Sequence, residues 1–150
     1  MEDITTVNAG KLYRKQQIAL WELPDDCLEQ IKFAEYPNFF VSCQRTSEDA
    51  ENTKLSIYPT KHENVYYLVA ELEHIIPEVL HEILTLLKEN GYDLLSSTGA
   101  CQKENECFFG VYIAHERTID MDELKHKVKQ IDGVISAKTY RYTFDGCCEV

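Results

Sequence analysis

Apolar and polar positions follow one another in stretches of different period, and each change of period marks an element. The run Val65, Tyr66, Tyr67, Leu68, Val69, Ala70 is short and continuously apolar, as in a strand buried on both faces. Residues 77–90 then place Val79, Leu80, Ile83, Leu84, Leu86 and Leu87 on one side of a 3.6-residue period. Glu78, Glu82 and Lys88 take the other side, and Gly91 supplies a left-handed stop, so an amphipathic helix is predicted. Residues 92–98 and 106–115 return to strand character. A second helix over 121–131 buries Met121, Leu124, Val128 and Ile131, and opens with Asp120 and Glu123 at capping-box spacing. Gly133 ends it, and 134–144 form a last strand.

Strand, helix, strand, strand, helix, strand is the order of the split βαβ, or ferredoxin-like, plan. The expected fold class is therefore α+β: a ferredoxin-like βαββαβ antiparallel sheet over residues 64–144, with two helices on one face. The other face is left for a partner, a second sheet or the N-terminal segment. Residues 1–60 read as an N-terminal β-rich extension, β-α-β-β, or a degenerate repeat. In it, 16–23 is expected as a strand ended by Pro24, followed by a short helix capped by Asp25 or Asp26 and running through Phe33. A strand over 39–44 turns Phe40 and Ser42 opposite to Phe39, Val41 and Cys43. After a polar loop at 45–52, a short strand over 55–58 is expected to stop at Pro59. Residues 59–63 are a short linker, and 145–150 are expected as a flexible tail.

Charge narrows the function. With 26 acidic against 15 basic residues the net charge is −11, which repels phosphate backbones and argues against nucleic-acid partners. The cluster Lys125, Lys127, Lys129 is expected to be a solvated helix face. The strand aromatics Tyr66, Tyr67, Phe108, Phe109 and Tyr112 are expected in the core rather than stacked on bases. No apolar run approaches membrane-spanning length, and the acidic start lacks a signal-peptide layout, so a cytoplasmic protein without a membrane partner is expected. Six cysteines in such a chain are expected to be reduced thiols, including Cys147 and Cys148 in the tail.

Catalytic chemistry finds no support. The glycines are scattered singly, so no phosphate-cradling loop is present. His62, His74, His81, His115 and His126 never fall at ligand spacing with one another or with a cysteine, and Cys101 and Cys107 have the wrong gap for a zinc knuckle. No catalytic residue, no metal and no cofactor are expected, and the chain is read as not an enzyme.

The second half resembles an ACT domain. The strand 65–73, then Pro77, Glu78, Val79 and Leu80 opening the helix, look like that family's Pro-Gly-Val-Leu turn. Residues 87–94 leading into the second strand and Ile131, Asp132, Gly133, Val134 leading into the fourth extend the match. The resemblance implies a regulatory module that binds amino acids between paired copies, with Glu73, His74, Ile76, Pro77 and Glu78, and Ser96 and Ser97 across the turn, as ligand-binding residues. Glu78 departs from the family's glycine, and its side chain and charge would crowd and repel a ligand carboxylate. The aromatics Trp21, Tyr36, Phe39, Phe40, Tyr66 and Tyr67, with Glu22 and Glu71, also resemble the pocket lining of gyrase-inhibitor-like effector-binding domains. The expected function is a non-enzymatic regulatory or sensor domain that forms a homo-oligomer and binds a small ligand such as an amino acid. The alternatives are an effector-binding domain of the second type and a ligand-free protein–protein interaction module.

Overall fold

The computed structural model describes residues 9–45, 53–103, 106–116 and 120–150. The chain runs β1 (Ala9–Arg14), α1 (Lys15–Ala19), α2 (Asp25–Gln30), β2 (Asn38–Arg45), β3 (Thr53–Thr60) and β4 (Val65–Leu72). It continues with α3 (Pro77–Glu89), β5 (Asp93–Lys103), β6 (Glu106–Ala114), α4 (Met121–Lys129), β7 (Val134–Thr143) and β8 (Gly146–Glu149). The strands form two antiparallel sheets, of three strands in the order β1-β2-β3 and of five in the order β5-β6-β4-β7-β8. The fold is a mixed α and β one with antiparallel sheets. Among the described residues no helix is long and apolar enough to cross a membrane.

Strand β4 shows how the layers arise. Alternate side chains of a strand point to opposite faces, and here both sets are apolar. Tyr66, Leu68, Ala70 and Leu72 join Val79, Ile83 and Leu87 of α3 and Leu124 and Val128 of α4 in one core. Val65, Tyr67 and Val69 turn the other way, into a second core with Phe108, Tyr112, Tyr142 and, from the three-stranded sheet, Leu12 and Phe40. The face opposite the helices is thus covered by the N-terminal segment. Phe39 and Val41 point away from Phe40, as expected, and pack under α1 and α2 with Ile18 and Ile31. Helices, sheet, sheet and helices follow one another as four layers.

Aromatic rings dominate the layer between the sheets. Phe40 meets Tyr112 and Tyr142 at centroid distances of 5.0 Å each, and Tyr67 stacks on Tyr112 at 4.4 Å. The stack depends on Gly110: a Cβ there would lie 2.7 Å from Tyr67 ring carbons and closer still to its hydroxyl. Burial raises the Tyr67 and Tyr142 phenols far above the ordinary tyrosine value, with neighbouring tyrosines adding to it.

Several sequence expectations are corrected. Residues 16–23 form no strand. The strand is β1, earlier in the chain, where Leu12 and Tyr13 pair with Phe40 and Phe39. The Arg14 N–H then donates to Gln17 Oε1 at 2.8 Å as α1 begins. Helix α2 ends at Gln30, and Pro24 rather than an aspartate holds its N-cap position. Pro59 does not stop β3 but lies within it opposite Phe39, which an edge strand tolerates because no partner needs its missing N–H.

The expected tail is strand β8, paired with β7 from Thr143 with Gly146 to Tyr140 with Glu149. The Val150 carbonyl accepts from Thr139 Oγ1 and from Lys125 Nζ, each at 2.8 Å, so Lys125 is not simply solvated. Cys101 and Cys107 are joined as a disulfide rather than left as thiols, because the β5–β6 register sets them directly opposite. Cys27, Cys43 and Cys147 are not in disulfides. Residues 46–52 of the expected polar loop lie outside the described residues. Asp120 caps α4 as expected, its carboxylate accepting from the Asp122 N–H at 2.9 Å, while Glu123 pairs with Lys127 one turn on at 3.3 Å.

Candidate functional site

The residues expected to bind a ligand fall in two places. The Glu73 N–H donates to the Gly133 carbonyl at 3.1 Å, which fixes the end of β4 against the start of β7. From there Glu73, His74, Ile76, Pro77 and Glu78 run exposed into α3, with Pro77 in its first turn, where a missing N–H costs nothing. Within this loop Ile75 reaches β5, its Cδ1 3.3 Å from the position a Cβ on Gly99 would take. Directly opposed residues of antiparallel strands share a face, and this separates the two serines. Ser97 pairs with Val111 of the helix-side core, while Ser96 pairs with Tyr112 of the aromatic layer. Ser97 therefore shares the face of the 73–78 loop, and Ser96 does not.

The aromatics of the second resemblance are also divided. Trp21 packs edge-on against Tyr13 at 5.0 Å, and Tyr13 belongs to the core under α1 and α2. Tyr67 lies on the far side of that sheet, in the layer between sheets. The two rings do not line a common cavity.

A different site lies where the halves of the chain are joined. The short connection between β3 and β4 is tied down by its polar groups. Asn38 Nδ2 donates to the His62 carbonyl at 3.2 Å, and the His62 N–H donates to Thr60 Oγ1 at 3.1 Å. Thr60, Asn38 and His62 are all buried, so these bonds satisfy groups that would otherwise be costly to remove from water. The His62 ring is consequently held, and its Nε2 lies 2.6 Å from Asp93 Oδ2 at the first residue of β5. The His62 side chain is 9% exposed and that of Asp93 61%. The imidazole is the buried partner and the carboxylate faces outward.

Beside this pair is a cavity of about 420 Å³ lined by Tyr36, Pro59, Thr60, Lys61, Asp93, Leu94 and Leu95. Its walls come from the turn after α2, the end of β3 and the start of β5. The volume lies in the range of small-molecule sites. Lys61 brings a cation with no hydrogen-bond or ion-pair partner among the described residues, and Asp93 brings an anion on the same cavity. Pro59, Leu94 and Leu95 add apolar wall. The Thr60 hydroxyl accepts from the His62 N–H, and Lys61 and Asp93 are the charged groups of the lining.

Two other cavities are less equipped. One of about 300 Å³ is lined by the single segment Leu28 to Glu35, and one of about 60 Å³ lies between Tyr92 and α4. None of the seven residues expected from the sequence lines any of the three. Compared with known proteins, the chain matches no family model, and no curated protein matches it significantly.

His62 and Asp93 escaped the sequence reading because no local pattern joins them. They stand 31 positions apart, and only the sheet register, in which Asp93 and Val65 both pair with Ala114 so that β5 and β4 start level, brings them together. The nearest sequence signal was the polar linker at 59–63, read there as a boundary only.

Proposed function

We propose that this protein is a non-enzymatic sensor that binds a small zwitterion of the amino-acid class in the cavity between Lys61 and Asp93. The observation that carries the reading is a single cavity presenting one cation, unpaired among the described residues, and one outward carboxylate beside an apolar wall. An α-carboxylate is matched by the Lys61 ammonium, an α-ammonium by Asp93, and an aliphatic side chain by Leu94 and Leu95. Charge-assisted contacts of this kind are the stronger class of hydrogen bond. The buried His62 fixes the carboxylate from behind, so little freedom is lost when a ligand arrives.

We further read residues 65–143 as a ferredoxin-like unit of the ACT-like kind. Its first strand, β4, lies between its third and fourth, β6 and β7, and its second, β5, lies outside β6. Helices α3 and α4 share one core with that sheet. On this reading the ligand has moved from the turn before α3, where Glu78 is unfavourable, to the opposite end of β5.

Thermal unfolding of the full chain across the free amino acids tests the proposal. A ligand at 100 times its dissociation constant adds about 2.7 kcal/mol, and Lys61→Ala or Asp93→Asn should remove the shift. A melting temperature unmoved by every amino acid, and equally by isolated amines and carboxylates, defeats it.

A further inference from the structure

The ladder between β5 and β6 is broken twice, and both breaks fall on β5. Asp93 and Leu94 face Ala114 and Ile113, Ser96 to Cys101 face Tyr112 to Cys107, and Lys103 faces Glu106. Leu95 and Gln102 are therefore extra residues, one at each end of the stretch from Ser96 to Cys101. Counting on from Lys103 and Glu106 without a break would set Gln102 opposite Cys107, Cys101 opposite Phe108 and Gly99 opposite Gly110. The stretch thus has two registers open to it, one residue apart, and it occupies the one in which Cys101 meets Cys107. The disulfide exists in that register alone.

Little else holds the stretch there. A slip of one residue reverses the faces of a strand and is costly where one face is buried. Here Ser96, Ser97, Thr98, Gly99 and Ala100 are all small and none is buried. β5 has no second strand beside it among the described residues, so a slip remakes a single ladder. The other register also fits its neighbours. Gly99 opposite Gly110 leaves the Tyr67 ring its space, and Ala100 takes the place of Gly99, where a Cβ lies 3.3 Å from Ile75 Cδ1. That atom ends a flexible side chain of a residue 37% exposed, and it can give way. The disulfide spans six positions in a hairpin whose ladder already joins its ends, so closing a loop is a minor part of what it does.

We infer that Cys101–Cys107 is a thiol-exchange site whose co-substrate is a dithiol, and that its opening frees β5 to move by one residue. Cys101 is exposed, while Cys107 is buried in the helix-side core. A thiolate from solvent reaches the Cys101 sulfur and forms a mixed disulfide with it, and the Cys107 sulfur leaves. The second thiol of the reagent then displaces Cys101. Two electrons and two protons pass from the dithiol, which becomes a cyclic disulfide, to the two cysteines, which become thiols. Once the bond is open, the irregularity at Gln102 travels along the strand and joins that at Leu95. Leu95 lines the cavity beside Lys61, so the far end of the strand carries the change to its wall. Neither the exchange nor the slip depends on what the cavity binds.

Nuclear magnetic resonance of the full chain, without any amino acid and before and after dithiothreitol, tests this. Before reduction, contacts across the ladder should join Thr98 to Gly110. Afterwards, titration should find two more thiols, and contacts joining Gly99 to Gly110 should replace the first set. Cys101→Ser should show the second set without reductant. Deleting Gln102 makes Cys101 opposite Cys107 the unbroken register, so that variant should gain the same two thiols yet keep the first set. A disulfide that fails to form on air oxidation, or that dithiothreitol leaves intact in the folded chain, overturns the exchange site. A reduced chain or a Cys101→Ser chain that keeps Thr98 opposite Gly110 overturns the slip. Failure of the chain to bind any amino acid alters none of these outcomes and counts only against the cavity reading.

Discussion

The two faces of the five-stranded sheet bury side chains of different chemistry. Toward α3 and α4 the core is largely aliphatic, with Leu68, Leu72, Ile83, Leu87, Val111 and Val128. Toward the three-stranded sheet it is largely aromatic, with Phe40, Tyr67, Phe108, Tyr112 and Tyr142. A helix can shift along a sheet and still find aliphatic contacts. Two sheets held by interlocked rings must meet in one register, and that register also sets Tyr36, Pro59 and Lys61 beside Asp93 and Leu94. The aromatic face therefore positions the candidate site, while the aliphatic face chiefly stabilises the fold.

Alkali should separate the faces most strongly. The Tyr67 and Tyr142 phenols are raised by burial, and Tyr92, at the helix side, is pushed up to about 12 by burial, with Tyr66 and Glu123 adding to it. A raised phenol keeps its proton in the folded state after the unfolded chain has lost it. These groups leave stability unaltered below the ordinary value of 10.0 and lower it progressively as pH rises above that. Melting temperature against pH should fall from that point, and Tyr67→Phe or Tyr142→Phe should flatten the decline more than Tyr92→Phe.

Removing one ring is the next largest test. Phe40→Ala should cost about 3–5 kcal/mol in urea unfolding, since Phe40 is fully buried between the sheets. If the halves are one cooperative unit, near- and far-ultraviolet signals will still change together; a separate early transition would show that the three-stranded sheet melts alone. Gly110→Ala should cost about 1–3 kcal/mol by overpacking, because the new methyl enters the space of the Tyr67 ring. The same change made together with Tyr67→Leu should cost less than the two added, which chemical denaturation can measure. On the aliphatic side, Asp120→Ala should cost only about 1 kcal/mol, the loss of a helix cap, and leave the aromatic layer's near-ultraviolet signal intact.

What was legible in the sequence follows the same division. The elements from β4 to β7 were readable because each carries its own period and punctuation, such as Gly91 after α3 and Asp120 before α4. β1 was missed because only Leu12 and Tyr13 are large and apolar in Ala9–Arg14; its strand character comes from pairing with β2, a contact across the chain. β8 was missed for the same reason, its four residues being specified by β7. The disulfide was hidden because counting outward from Lys103 opposite Glu106 sets Gln102 against Cys107, and only the irregularity between Cys101 and Lys103 brings Cys101 opposite Cys107. The candidate site was least legible, since Tyr36, Lys61, His62 and Asp93 come from three separate segments and share no spacing rule.

Strand β4 has one more consequence. It is flanked by β6 and β7, covered by helices on one side and rings on the other, and its residues from Val65 to Ala70 are all buried. Its amide hydrogens have no route to solvent through fraying or a loop opening, so deuterium enters there only when the whole molecule comes apart. The uptake rate at β4 is thus an internal gauge of global stability, and any ligand or second copy that binds the native state will register there from a distance.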